Sequence, residues 1–353
     1  MKKRLETILV PVISMVLAVL VGCVIMLFLG KDPLIAVSTL FKGAFGTKGS
    51  IGTTLTKATP LIFTGICCCF AYKCGVFNLG GEGQFIAGSI AGYLTAHCLG
   101  LTGFPGILLS LAAAAAAGAL WALIPGILKI RRGQNEMIIT IMMNYIATLF
   151  MGVVYTNWFR DADVPQTVQI DAAQKLPQVI PGMRFSWAFI IAVLTAAAAW
   201  YWLFRTAEGF RMRAVGFNQT ASRFNGFPVN SLLLSSFAVS GLIAGLGGGA
   251  ELLGTQYRLI NGFGAGYGFD GIAIALIGQL HPIATVFVAV FFAALRAGSM
   301  AMQAATGVPT SVSDIIQALV IIFSVAGMAI VKLPEYEAVR RKLKKSSGRR
   351  EAV

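Results

Sequence analysis

"GVFNLGGEGQFIAGSIAGYL", residues 75–94, is mostly apolar enough for lipid, yet it carries Asn78, Glu82, Gln84 and six glycines. A carboxylate at the centre of a membrane helix costs roughly 2.5–3.5 kcal/mol, and less near the interface. "NLGGEG" predicts a bend with exposed backbone N–H and C=O groups, the kind of broken segment that builds polar sites at depth. The other reading is a plain turn, with Asn78 capping the following helix and Glu82 favoured by its dipole. Taken alone, the residues leave both open.

The rest of the chain has a membrane composition. Of 353 residues, 57% are apolar and only 12% charged, against roughly 25% charged in soluble domains. Residues 8–29 form a 22-residue run without a charge, long enough to cross about 30 Å of hydrocarbon. It is too long for the apolar core of a signal peptide, and no small-residue cleavage site follows it, so it is expected to be retained. Apolar windows predict ten passes, at about 8–29, 55–73, 84–100, 107–129, 137–156, 186–204, 232–254, 269–280, 283–303 and 313–331. The eighth, twelve residues long, rises only about 18 Å. It follows "NGFGAGYGFD" and ends at His281-Pro282, and is expected to be broken or re-entrant. The fold class is therefore all-α polytopic, a single transmembrane domain with a basic tail at 332–353.

With the N-terminus in the cytoplasm, 19 Lys and Arg fall on the cytoplasmic side and eight outside, leaving Arg296 within a span. This positive-inside bias accounts for the net charge of +14 without nucleic acid. The tail is expected to meet anionic lipid headgroups. Both termini are placed on the cytoplasmic side of the membrane. The polar segment 157–185 is placed outside, and 205–231 inside. The cysteines Cys23, Cys67, Cys68, Cys69, Cys74 and Cys98 show no metal-ligand spacing and read as small buried residues.

No P-loop is present: "GAFGTKGS" (43–50) lacks the glycine–lysine adjacency. "GAGYG" (264–268) resembles a potassium filter, but a filter needs four copies around one axis. A membrane enzyme would need a clustered nucleophile–base or metal set, and only two His exist.

Five stretches carry a family resemblance, in order. They are "GVFNLGGEGQFIAG", "NEMIITIMMNYIA" (135–147), "RTAEGFRMRAVGFNQTASRFNG" (205–226), "SGLIAGLGGGAELLG" (240–254) and "GYGFDGIAIALIGQLHPIATVFVAVFFAALRAG" (266–298). Together they resemble permease subunits of ABC importers of the branched-chain amino acid and simple-sugar class, in the form typical of its nucleoside-importing branch. The resemblance implies a type II importer-like fold, with spans 2–5 repeated in inverted form by 7–10. It also implies a second permease subunit, identical or paralogous, and an extracytoplasmic solute-binding protein. A cytoplasmic ATPase would bind ATP and Mg, so no cofactor is expected in this chain. Simple sugars are the next solute class. An ion-coupled secondary transporter is the rival mechanism.

The family's coupling helix falls at 218–226. The residues support a helix there by themselves, with Asn218 as N-cap, Ala221 and Arg223 within it, Gly226 as the left-handed stop and Pro228 beyond. Arg223 and Phe224 are residue types that anchor interfaces. Asn78, Glu82, Gln84 and Asn144 are the candidate pathway residues. Arg296 is expected to form a structural ion pair with one of the acids Glu251 and Asp270.

Overall fold

A computed structural model describes residues 2–331, apart from 101, 162, 163, 181 and 184; for residues 2–8 and 331 it describes the backbone alone. The basic tail at 332–353 and Arg184 lie outside the described residues.

Thirteen α-helices occupy the described residues: α1 (Lys2–Phe28), α2 (Pro33–Phe45), α3 (Lys48–Lys73), α4 (Gly81–Leu99), α5 (Gly103–Arg132), α6 (Glu136–Val153), α7 (Trp187–Arg205), α8 (Ala207–Phe217), α9 (Gln219–Phe224), α10 (Val229–Glu251), α11 (Tyr267–Ile277), α12 (Pro282–Thr306) and α13 (Ser311–Val331). Eight of them are long and apolar enough to cross a membrane. The chain is a multi-pass membrane protein. The ten expected apolar windows overlap α1, α3, α4, α5, α6, α7, α10, α11, α12 and α13, of which α4 and α11 are not among the eight. The eighth, α11, is short, at 11 residues.

Three differences from the expected spans have local causes. Span 2 begins at Lys48 rather than 55, because Thr47 caps it by accepting the Ser50 N–H; Lys57 therefore lies well inside the helix rather than at its outer end. Helix α2 was not foreseen. Asp32 Oδ1 accepts the N–H groups of Leu34 and Ile35 at 2.8 and 3.3 Å, and Pro33 stands at the first helical position, a start signal of standard form. The expected outer segment 157–185 holds a small hairpin, β1 (Arg160–Asp161) and β2 (Val164–Thr167). Its backbone is bonded onward, Thr167 N to Leu259 O at 2.9 Å and Leu176 N to Leu253 O at 2.8 Å, so this loop is a built cover rather than a free linker.

Phe41–Gly298 form one compact unit, and the described residues on either side of it form another. In the second, Gly22 lies against Ile316 and Gly327 against Val10, so α1 and α13 run antiparallel. In the first, α10 is central, with α3, α4 and α5 packed on it. A Cβ on Gly241 would come within 2.3 Å of Gly118 O, and one on Gly248 within 1.9 Å of Phe85 O. Helix backbones approach this closely only where side chains are missing. The motif "SGLIAGLGGG" and the alanine-rich α5 are therefore two sides of one contact.

Helix direction follows from the contacts. Gly88 meets Gly245 and Gly92 meets Gly249, so α4 runs parallel to α10. Gly271 meets Thr64, and Ala275 clusters with Cys68 and Cys69, so α11 runs parallel to α3. Phe63 meets Gly247, and Cys74 Sγ meets Leu232 O, so α3 and α10 are antiparallel. Hence α4 and α11 run in opposite directions.

Candidate functional site

The chain leaves α3 at Lys73, and Gly75 turns it back with φ +76°, a conformation that favours glycine. Residues 76–80 are not helical, and they carry the chain back into the bundle. Asn78 is fully buried, and its Nδ2 donates to Ser240 Oγ at 2.9 Å. Ser240 is the twelfth residue of α10, so α4 starts near the middle of the bundle. Span 3 therefore does not open at the end of the bundle where α3 stops. Lipid offers no water to such a stretch, so every backbone group must find a protein partner.

The amides supply those partners. Asn78 Nδ2 donates to Gln84 Oε1, and Gln84 Nε2 returns a bond to Asn78 Oδ1, both at 3.0 Å. The same Asn78 Oδ1 accepts the N–H of Gly80 at 3.0 Å. Asn144, the ninth residue of α6, bridges the bend from the other side. Its Oδ1 accepts the N–H of Gly83 at 2.8 Å, and its Nδ2 donates to Leu79 O at 3.0 Å. All three amides are at most 6% exposed. Asn78 is not the helix cap of the alternative reading; Gly80 holds that position. These contacts give Asn78, Gln84 and Asn144 the task of pinning the bend, rather than offering free groups to a solute.

Glu82 reaches further. Its Oε2 accepts the N–H of Gly266 at 3.1 Å, and Gly268 packs on its backbone. The N-termini of α4 and α11 thus meet head to head inside the bundle. Asp270, in the first turn of α11, forms an ion pair with Arg296 of α12. Lys57 Nζ donates to Arg296 O at 3.2 Å. Glu251, the other acid proposed for Arg296, is not its partner. Glu251 is 3% exposed, and its Oε1 accepts from Gln256 Nε2 at 3.2 Å.

At the Lys48 end of α3 lies a cavity of about 490 Å³, lined among others by Thr56, Lys57, Ser186, Glu251, Tyr257 and Tyr267. Glu251 and Tyr267 fall within the quoted motifs, but Thr56, Lys57, Ser186 and Tyr257 do not. The available signal was the break after α10: a π-helical turn, Leu252–Gln256, ends at Tyr257 with φ +61°, a conformation unusual for a residue with a side chain.

On the 205–231 segment, α9 is short and doubly capped. Asn218 Oδ1 accepts the N–H of Ala221 at 2.9 Å. At its end Gly226 N donates to Arg223 O and Phe227 N to Ser222 O, both at 3.0 Å, with Gly226 at φ +76°. This is the bond pair of a left-handed helix stop. Phe224 and Phe217 are 90% and 91% exposed, and Arg223 is exposed beside them. Helix α8 precedes it, capped by Thr206 through the Gly209 N–H.

Residues 50–325 match the family model described as branched-chain amino acid transport system / permease component. The chain belongs to this permease family. Among curated relatives, the permease is 38% identical to the guanosine ABC transporter permease protein NupP of Bacillus subtilis, over 94% of this chain and 96% of that one. It is 32% identical to the nucleoside ABC transporter permease protein NupB of Lactococcus lactis, over 96% and 97%. It is also 32% identical to the glucose ABC transporter permease protein TsgB13 of Haloferax volcanii, over 89% and 86%. No solved structure matches it.

Proposed function

We propose that this permease forms the solute pathway of an ATP-driven nucleoside importer. The observation that carries the reading is the 38% identity to a guanosine permease along almost the whole of both chains. Work is expected to come from a separate ATPase that binds ATP and Mg. An extracytoplasmic binding protein delivers the solute, and a second permease subunit completes the pathway. Both termini face the cytoplasm, by the positive-inside bias. Phe224, Arg223 and the capped α9 form the ATPase contact: two rigid helix ends and an exposed ring suit a lever seated in a partner's groove. Glu82, Asn78, Gln84 and Asn144 shape the pathway by holding its broken helices.

The test is reconstitution in vesicles with and without ATPase and binding protein, following labelled nucleosides and hexoses. ATP-dependent nucleoside uptake is the expected result. Uptake by the chain alone on a sodium or proton gradient would overturn the ABC reading. Uptake of hexose without nucleoside would move the permease to the sugar class, the reading favoured by its likeness to the glucose permease.

A further inference from the structure

Glu251 has no task in the arrangement described so far. It ends α10, it is 97% buried, and its Oε2 makes no hydrogen bond of normal geometry among the described residues, although the Thr255 side chain lies close to the carboxyl. Arg296 does not serve it, because Arg296 is taken by Asp270. Burying a carboxylate oxygen without a donor is costly, and buried polar groups without partners are rare. A site kept at such a cost and lining a cavity is a site waiting for a donor.

The cavity supports this. Its 490 Å³ falls within the usual range for small-molecule sites, about 300–1,000 Å³. Tyr257 and Tyr267 line it, together with Thr56, Ser186 and Thr255. Aromatic rings supply flat apolar surface for a planar ring, while the hydroxyls suit sugar groups. Gln256 holds Glu251 Oε1, which fixes the carboxylate and leaves one oxygen to recognise one donor.

Resting on the nucleoside reading above, we infer that this cavity is a solute-binding chamber in which Glu251 Oε2 accepts the N1–H of a 6-oxopurine base such as guanine. The tyrosines flank the base, and the ribose lies toward the hydroxyl-bearing wall. A ribose O–H would also donate to a carboxylate; the two rings beside Glu251 favour the base.

The test uses the complete transporter in vesicles, wild type and Glu251→Gln, at sub-saturating guanosine, 1-methylguanosine (ring N–H removed) and 2′-deoxyguanosine. The binding protein's own preference is common to both variants and cancels in their ratio. Guanosine and 2′-deoxyguanosine uptake is expected to fall about tenfold in Glu251→Gln, the usual scale for a hydrogen bond to a charged group, with 1-methylguanosine unchanged. An equal fall for all three, or no fall, overturns the inference while nucleoside import stands. A fall that spares only 2′-deoxyguanosine overturns the base assignment. A wild type that carries no nucleoside overturns the function reading and this inference with it. A second variant, Thr255→Cys, keeps the proposal falsifiable if Glu251→Gln does not assemble. Guanosine is expected to slow thiol labelling at that position severalfold, read by mass spectrometry at that residue, and unchanged labelling at millimolar guanosine counts against the chamber.

Discussion

Glu82 Oε2 accepts the backbone N–H of Gly266 at 3.1 Å, and so one carboxylate ties together the starts of two helices that run in opposite directions. Each helix N-terminus carries a partial positive charge from its unsatisfied N–H groups. Two such ends facing each other would repel. Glu82 in the first turn of α4 and Asp270 in the first turn of α11 place negative charge between and beside them. The acid that looked out of place in an apolar span answers a charge problem that the broken helices themselves create.

Removing that carboxylate should loosen the junction. Glu82→Ala is expected to lose roughly 1.5–3 kcal/mol, the range for a hydrogen bond to a charged group, and Glu82→Gln less, since an acceptor remains. Thermal unfolding of the purified protein in detergent checks this. An alanine variant that melts with the wild type would mean the Glu82–Gly266 bond holds nothing.

Asn144→Ala should act on folding before transport. It leaves the Gly83 N–H and the Leu79 carbonyl without their partners, at about 1–3 kcal/mol for each buried group left unmade. The yield of folded protein in the membrane is the measurement. Full yield with transport abolished would return Asn144 to the solute.

Arg296→Ala should lower the folded yield severalfold, because it removes the cation paired with a largely buried Asp270. Arg296→Ala combined with Asp270→Ala should recover part of that loss, with a coupling of about 1 kcal/mol or more in a double-mutant cycle. Strictly additive losses would show that the pair does not act as a unit.

Phe224→Asp should leave the permease inserted and folded, since the ring is 90% exposed. Burying such a ring at a partner is worth roughly 1.5–3 kcal/mol, so ATPase association should weaken by about tenfold to a hundredfold. Co-purification of the ATPase with the variant reads this directly. Wild-type retention and transport would move the coupling surface to the "KIRRGQNE" loop (129–136).

Spans were legible in the sequence because hydrophobic length and caps are local. The capped helix at 219–224 was legible for the same reason: Asn218 and Gly226 are both signals within one or two residues of the element they bound. Depth was not legible. Nothing in "NLGGEG" says that Asn78 meets Ser240, 162 residues away, and that contact is what lifts α4 into the bundle. Nor does the spacing of acids tell which one Arg296 takes. Asp270 and Glu251 are both placed toward the same face as Arg296 by the expected spans, and only the folded contact of Arg296 with Asp270 separates them. Helix α2 has its start signal in Asp32-Pro33, but its 13 residues are too few to cross a membrane, so hydrophobic length does not mark it.

The glycine contacts of α10 set where this molecule can yield. Against α4 and α5 its backbone rests on backbone, with Gly241 on Gly118 and Gly248 on Phe85. Side-chain layers accommodate sliding by changing rotamers, which is how helices shear. Side chains such as Phe237 and Leu111 fill the contact elsewhere, but where peptide meets peptide there is no such bearing. Any slip along it drives a carbonyl into a Cα, and a close-packed interior resists that compression. Helices α4, α5 and α10 therefore behave as one stiff block during the transport cycle, and the gate must open along seams where side chains, not main chains, meet.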